Sequence, residues 1–285
     1  MERKAMAKRI FGIGLILLSF VSVAQVSGQF GPQEIAQREQ WEEYLLSAEI
    51  VRAEPLKQGV TKPWKLYLKK GDIERMAAWK DVDTKLGGGA RDSWKYEIAA
   101  SRLDKLIGLN AVPPAVEKEF RGRAGAVSLW VETKYNLAEI VEQRVKIPES
   151  AQKHIEDMGY IYRLWGCLIA NDDPTQENMR FTEDWRMIFI DHSRAFRSDK
   201  EYAKRLVFGI NGIKRYQADG RPFIIRRVPR ALFERIKGLD PAAVKQAVGP
   251  YLNDREIQAI VVRVKLIENE IEEMVKLYGE AGVLY

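Results

Sequence analysis

This chain has one cysteine, two histidines among 285 residues, and no internal repeat or low-complexity tract. Cys167 lies in an apolar stretch, Leu164 to Ala170, and has no partner for an intrachain disulfide. That is compatible with an oxidising compartment without requiring one. His154 and His192 read as local hydrogen-bonding residues rather than as metal ligands. Charge of one sign is scarce too. The formal net charge is +6, and Arg3, Lys4, Lys8 and Arg9 against Glu2 account for +3 of it, leaving +3 for the rest. So balanced a body gives no reason to expect a nucleic-acid partner. Beyond the first 24 residues, no run is long and apolar enough to cross a bilayer.

The beginning of the chain reads as an export signal. Met1 to Arg9 is basic, Ile10 to Val23 is apolar, and Ser22-Val23-Ala24 supplies small residues where a signal peptidase cuts. Val26-Ser27-Gly28 offers a second cut. The reading is therefore export to a periplasm, the medium or a secretory lumen, with a membrane contact only if the segment stays uncleaved as an anchor. At 46% hydrophobic and 30% charged residues, the remainder is an ordinary globular protein with ample length for a core.

Residues 25–33 read as a linker and 33–46 as a polar, weakly amphipathic helix. Trp64, Leu66 and Leu68 alternate with Lys65, Tyr67 and Lys69, the period of a half-buried strand. Lys70-Gly71-Asp72 is a turn, and Arg75 to Lys80 is the returning strand. Asp81 to Asp92, with Gly87-Gly88-Gly89, reads as a mobile loop. Ser93 caps a helix from Trp94 to about Ile107 that Gly108 ends. After Pro113-Pro114 come strands at Ala115–Phe120 and Ala126–Glu132. The second half is mainly helical: Pro148 to Ala170, Pro229–Ile236, Pro241–Val248 behind Asp240, and a long helix to about Tyr278 opened by an Asn253/Glu256 capping pair. On that long helix Ile257, Val261, Val264, Ile267, Ile271 and Met274 share one face. Met187 to Ile190 is a short strand ending at Asp191. The boundaries are a small lobe over 47–134 and a helical lobe over 135–285.

Three features carry chemistry when taken in order. Asp173 is followed five residues later by Asn178 on one Pro-containing loop, which can set a carboxylate beside an attacking hydroxyl and an amide oxygen on a metal ion. Asp191 closes a short strand, where the side chain is fixed and still open to ligand. Lys80 ends another strand, with Glu97 on the following helix as the partner that a buried ammonium needs. Taken singly, each has a bland reading: a solvated turn, a cap, a surface pair.

That order resembles the atypical kinase-like fold shared by phosphatidylinositol 3- and 4-kinases, HipA-type toxin kinases and the secreted Golgi casein-kinase family. Asn171-x-Asp173-x4-Asn178 is similar to the HipA-type catalytic loop, and Ile190-Asp191-His192-Ser193 resembles the Asp-Phe-Gly metal motif. Met76 to Lys80 looks like the nucleotide-lysine strand, and Gly59-Val60-Thr61 with the strand from Trp64 resembles the phosphate-covering hairpin. The likeness spans roughly residues 50–200. It implies an α+β, two-lobed protein-kinase-like fold, with a small antiparallel sheet lobe carrying one helix and a mainly helical second lobe. It also implies ATP with Mg²⁺ or Mn²⁺, and transfer of the terminal phosphate to a hydroxyl of a protein, sugar or lipid. In that scheme Lys80, held by Glu97, and Gly59 meet the nucleotide. Leu129, Trp130, Val131 and Glu132 line its adenine edge. Asp173 orients the acceptor, and Asn178 and Asp191 hold the metal.

The chain departs from the pattern where Pro174 and Thr175 follow Asp173, in place of the Arg and His of lipid kinases and the His of the HipA-type loop. No dense glycine loop covers the phosphates unless Gly87–Gly89 folds over the site. A kinase-shaped binding module without phosphotransfer, and an envelope protein in which the motifs are chance, are the alternatives. The basic segment Ile213 to Arg230 reads as a solvated connection with a turn at Ala218-Asp219-Gly220.

Overall fold

The computed structural model describes residues 30–56, 62–171, 173–217 and 219–285. Residues 1–24, read as a signal, and Gly59-Val60-Thr61, read as a turn, lie outside the described residues. Two helices, α1 (Pro32–Ala36) and α2 (Arg38–Ser47), come first. Strands β1 (Glu49–Pro55), β2 (Trp64–Lys70) and β3 (Ile73–Lys80) follow, then a short hairpin, β4 (Asp83–Lys85) with β5 (Arg91–Ser93). Helix α3 (Trp94–Ile107) leads to β6 (Ala115–Phe120) and β7 (Arg123–Leu129). The five long strands form one antiparallel sheet in the order β1-β2-β3-β7-β6.

The alternation along β2 does what the sequence suggests: Leu66 and Leu68 are fully buried while Lys69 stays out. The face they occupy is covered by α2, whose Tyr44 and Leu45 pack with Ala48, Ala77, Trp79, Val116 and Val127. The polar helix is thus part of the small lobe's core. Helix α3 covers the opposite face, where Trp94 and Ile98 meet Ala115 and Ala126. Its caps are the expected ones, Ser93 accepting from the Lys95 amide and Gly108 left-handed at φ 62°.

Two segments differ from expectation. Asp81 to Asp92 is no mobile loop: β4 pairs with β5, an Arg91–Asp83 ion pair of 2.6 Å crosses the hairpin, and the glycines form its tight turn. The seventh strand starts at Arg123 and ends at Leu129, not at Ala126 and Glu132. Arg121 and Gly122 both take positive φ (56° and 72°), so a two-residue turn zips the pairing up to Phe120 and Arg123.

The second lobe contains β8 (Tyr135–Asn136), α4 (Leu137–Glu142), α5 (Glu149–Ile169), β9 (Met179–Phe181) and β10 (Met187–Phe189). These are followed by α6 (Arg230–Lys237), α7 (Pro241–Val248), α8 (Asp254–Tyr278) and α9 (Glu280–Val283). β8, β9 and β10 make a small sheet beside α5. The apolar faces of α5 and α8 meet in the largest core. On α8, Val261 and Val264 are half-buried, and Ile260 with Arg263 takes the innermost positions.

A buried ion pair ties α2 to α3. Arg38 donates to Asp104 (2.7 Å) and to the Ser101 carbonyl, and Asp104 also accepts from the amides of Ala111 and Val112. Burial pushes the Asp104 carboxyl up, against the pull of Arg38. Arg38→Met strands that carboxylate, and should cost about 3–5 kcal/mol in urea denaturation. A loss below about 1 kcal/mol would show that the pair does not hold the helices together.

Candidate active site

Lys80 ends β3 on the face opposite Trp79, hence away from α2 and toward α3. Its strand end is set by a close approach: a Cβ at Gly125 would lie 2.5 Å from the Lys80 carbonyl and 2.6 Å from the Trp79 indole. The ammonium donates to Glu97 Oε1 at 2.6 Å and to Asp191 Oδ1 at 2.8 Å. One cation thus joins the sheet, helix α3 and the loop after β10.

Glu97 has its other oxygen engaged as well, accepting from the His192 backbone amide at 3.1 Å. The His192 ring accepts from the indole N–H of Trp165 through Nε2 at 3.0 Å. Asp191 itself sits at φ 61°, a left-handed conformation disfavoured for a non-glycine residue, and Ser193 Oγ donates to it at 3.2 Å. Burial opposes charge on both Lys80 and Glu97. Their mutual attraction, with Asp191 added on the lysine side and His192 on the glutamate side, wins. Lys80 is held above its ordinary value and Glu97 below.

The Asp173 loop begins where Ala170, left-handed at φ 46°, ends α5. Asn171 Oδ1 accepts from the Asp173 amide at 3.1 Å, and a single helical turn ends at Asn178. The Asn178 carbonyl accepts from the Ile190 amide, which sets the loop beside Asp191. Asp173 Oδ2 accepts from Arg194 Nη1 at 2.8 Å, and Arg194 Nε donates to Asp92 Oδ2 at 3.0 Å. Beneath lies Tyr162, whose buried hydroxyl has no hydrogen-bond partner. Burial first, and then the charges of Asp191 and Asp173, push that hydroxyl's pKa up, so it stays protonated.

Lys80, Glu97 and Asp191 are therefore in direct contact; Asn178 is linked to the residue before Asp191 through the backbone, and Asp173 is tied by Arg194 to Asp92. Leu129, Trp130, Val131 and Glu132 are placed differently. Leu129 lies opposite Ala77 on the α2 face, and the four residues line a cavity of about 230 Å³ with Phe30, Trp41 and Arg75. Gly59 lies outside the described residues. The Gly87–Gly89 turn is committed elsewhere: Arg197 donates to the Gly88 carbonyl, and Gly89 abuts Asp199. Among the six cations of the basic segment, Arg221 pairs with Asp219, Arg227 with Asp157 and Arg230 with Glu280. Arg194 and Asp92 went unnoticed in the sequence. A cation three residues after Asp191, in a chain with none directly after Asp173, is the signal that could have found Arg194.

The donor set suits a hard divalent cation. Asp191 offers a carboxylate, Asn178 an amide oxygen, and the partnerless Tyr162 hydroxyl marks an unsatisfied polar spot between carboxylates. Mg²⁺ and Mn²⁺ both accept such oxygens and take the rest of their shell from phosphates and water. Among the described residues no cluster of three His, Cys, Asp or Glu could hold a metal alone.

These features define a kinase-like fold: an antiparallel sheet lobe over a helical lobe, with a lysine, a glutamate and two aspartate loops at the junction. No family model and no curated protein sequence matches the chain. Among solved structures the fold is similar to that of the Helicobacter pylori proinflammatory kinase CtkA. The TM-score is 0.51 at 9% identity, over 79% of this chain and 94% of that one.

The ion network predicts a pH dependence. Glu97, lowered from 4.5, contributes stability above that value and loses it as pH falls through its folded value. Lys80, raised from 10.5, contributes below that value and loses it as pH rises further. The Lys80→Met/Glu97→Gln coupling energy, measured by denaturation, should therefore be level between about pH 5 and pH 10. Decay of the coupling near neutrality would contradict the assignment.

Proposed function

We propose that this protein is a metal-dependent phosphotransferase that moves the terminal phosphate of ATP to a hydroxyl of a protein, sugar or lipid acceptor. The observation that carries the reading is the single ammonium of Lys80 bridging Glu97 and Asp191 across the two lobes. In this reading Lys80 meets the nucleotide phosphates, and Glu97 keeps it charged and aimed. Asp173 takes the proton of the acceptor hydroxyl as the new oxygen–phosphorus bond forms and the bond to the nucleoside diphosphate breaks, and then releases it to solvent. A divalent ion, Mg²⁺ or Mn²⁺, held by Asp191 and Asn178, supplies neutralisation of charge on the phosphates. The basic residues 1–9 and the apolar run that follows support, on this reading, export to a periplasm, the medium or a secretory lumen.

A second reading, a nucleotide-binding module without transfer, draws on the Arg194 pair that occupies Asp173 and on Pro174 and Thr175 after it. Turnover separates the two. Asp191→Asn should abolish metal-dependent ATP turnover while leaving the circular dichroism spectrum intact, since Asp191 is a half-exposed partner of Lys80. Turnover equal to that of the native protein would remove the assignment.

A further inference from the structure

We propose that Arg194 is the cation that receives the terminal phosphate, and that its pair with Asp173 is the nucleotide-free arrangement which the phosphate displaces. This rests on the phosphotransferase reading above. Transfer spreads negative charge over the oxygens of the moving group, so cations must stand around it. From Pro174 to Asn178 the chain supplies none. Among the described residues, the cations paired with the two loop carboxylates are Lys80 on Asp191 and Arg194 on Asp173.

The two contacts of Arg194 are unequal, and that inequality is what makes it suited to exchange. Its Nε edge is fixed on Asp92, which is 4% exposed, and the Ser93 amide donates to the Ser193 carbonyl at 2.7 Å to pin the neighbouring backbone. Its Nη1 meets Asp173 across a pair whose side chains are 35% and 45% exposed. Exposed pairs contribute little, whereas a guanidinium grips phosphate through parallel, charge-assisted bonds. A phosphate arriving at the cleft can therefore draw Nη1 from Asp173 without loosening the Asp92 anchor. Asp173 is released in the same event, so the acceptor's base becomes available only when the donor is bound. Asp92 immediately precedes the cap of α3, and the helix that holds Glu97 against Lys80 thereby sets the second cation too.

The test is the affinity for ATP and for ADP, each with Mg²⁺, by titration calorimetry on the native chain, Arg194→Gln and Arg194→Lys. ADP lacks the terminal phosphate. The native protein should prefer ATP, and Arg194→Gln should weaken ATP about tenfold or more while leaving ADP within about twofold. Arg194→Lys keeps the charge without the fork and should fall between them; it decides the matter if the Gln variant does not fold. Equal losses for both nucleotides, no loss, or a native protein indifferent to the terminal phosphate would each overturn the role of Arg194 and leave the nucleotide site standing. A native protein that binds neither nucleotide would overturn the phosphotransferase reading as well.

Discussion

The Lys80 ammonium lies between two carboxylates from different parts of the fold, and most of the arrangement around it can be understood as the means of keeping it there. A buried charge is tolerable only when paired, and Glu97 is buried alongside it. Neither can leave without stranding the other. The contact with Asp191 closes 111 residues of chain, so it must be held by structure on both sides and cannot be bought by a flexible loop. On the upper side the holding is done by Ser93 and the β4–β5 hairpin, which fix the start of α3. Arg38 and Asp104 fix its end.

On the lower side the support is polar and buried. Arg263 of α8 is fully enclosed, donating to the carbonyls of Leu168 and Arg197, and burial pushes its pKa down to about 9. It thereby joins the last turn of α5, which launches the Asp173 loop, to the segment that follows Asp191. Trp165 and His192 make a second tie between the same two parts. Both aspartate loops are thus referred to α5, and the left-handed Asp191 is held by Lys80 and Ser193 on a half-exposed site.

Local rules read much of this from the sequence, because their physics is local. The Leu66/Leu68 alternation, the Ser93 and Asn253 caps and the stop at Gly108 depend on near neighbours and appear where expected. The Lys80–Glu97 proximity was legible for the same reason, since strand and helix lie close in the chain. What was hidden is long-range. A weakly amphipathic α2 joins the core because the sheet has a second apolar face to cover. Three glycines suggested mobility at 87–89, and a cross-strand ion pair and Arg197 order the hairpin instead. The Arg194 bridge between Asp92 and Asp173 spans 102 residues on one side, and no periodicity encodes such a contact. Leu129 faces α2 because pairing from Arg123 settles its register, which a strand placed at Ala126–Glu132 leaves open.

A thermal-shift titration of the chain with ATP and either Mg²⁺ or Mn²⁺, run beside Lys80→Met, bears most directly on the central claim that this ammonium anchors a nucleotide site. The account predicts stabilisation of the native protein by about 2.7 kcal/mol at 100 times Kd, dependent on the metal and lost in the variant. No stabilisation at saturating nucleotide, or equal stabilisation of both proteins, would contradict it.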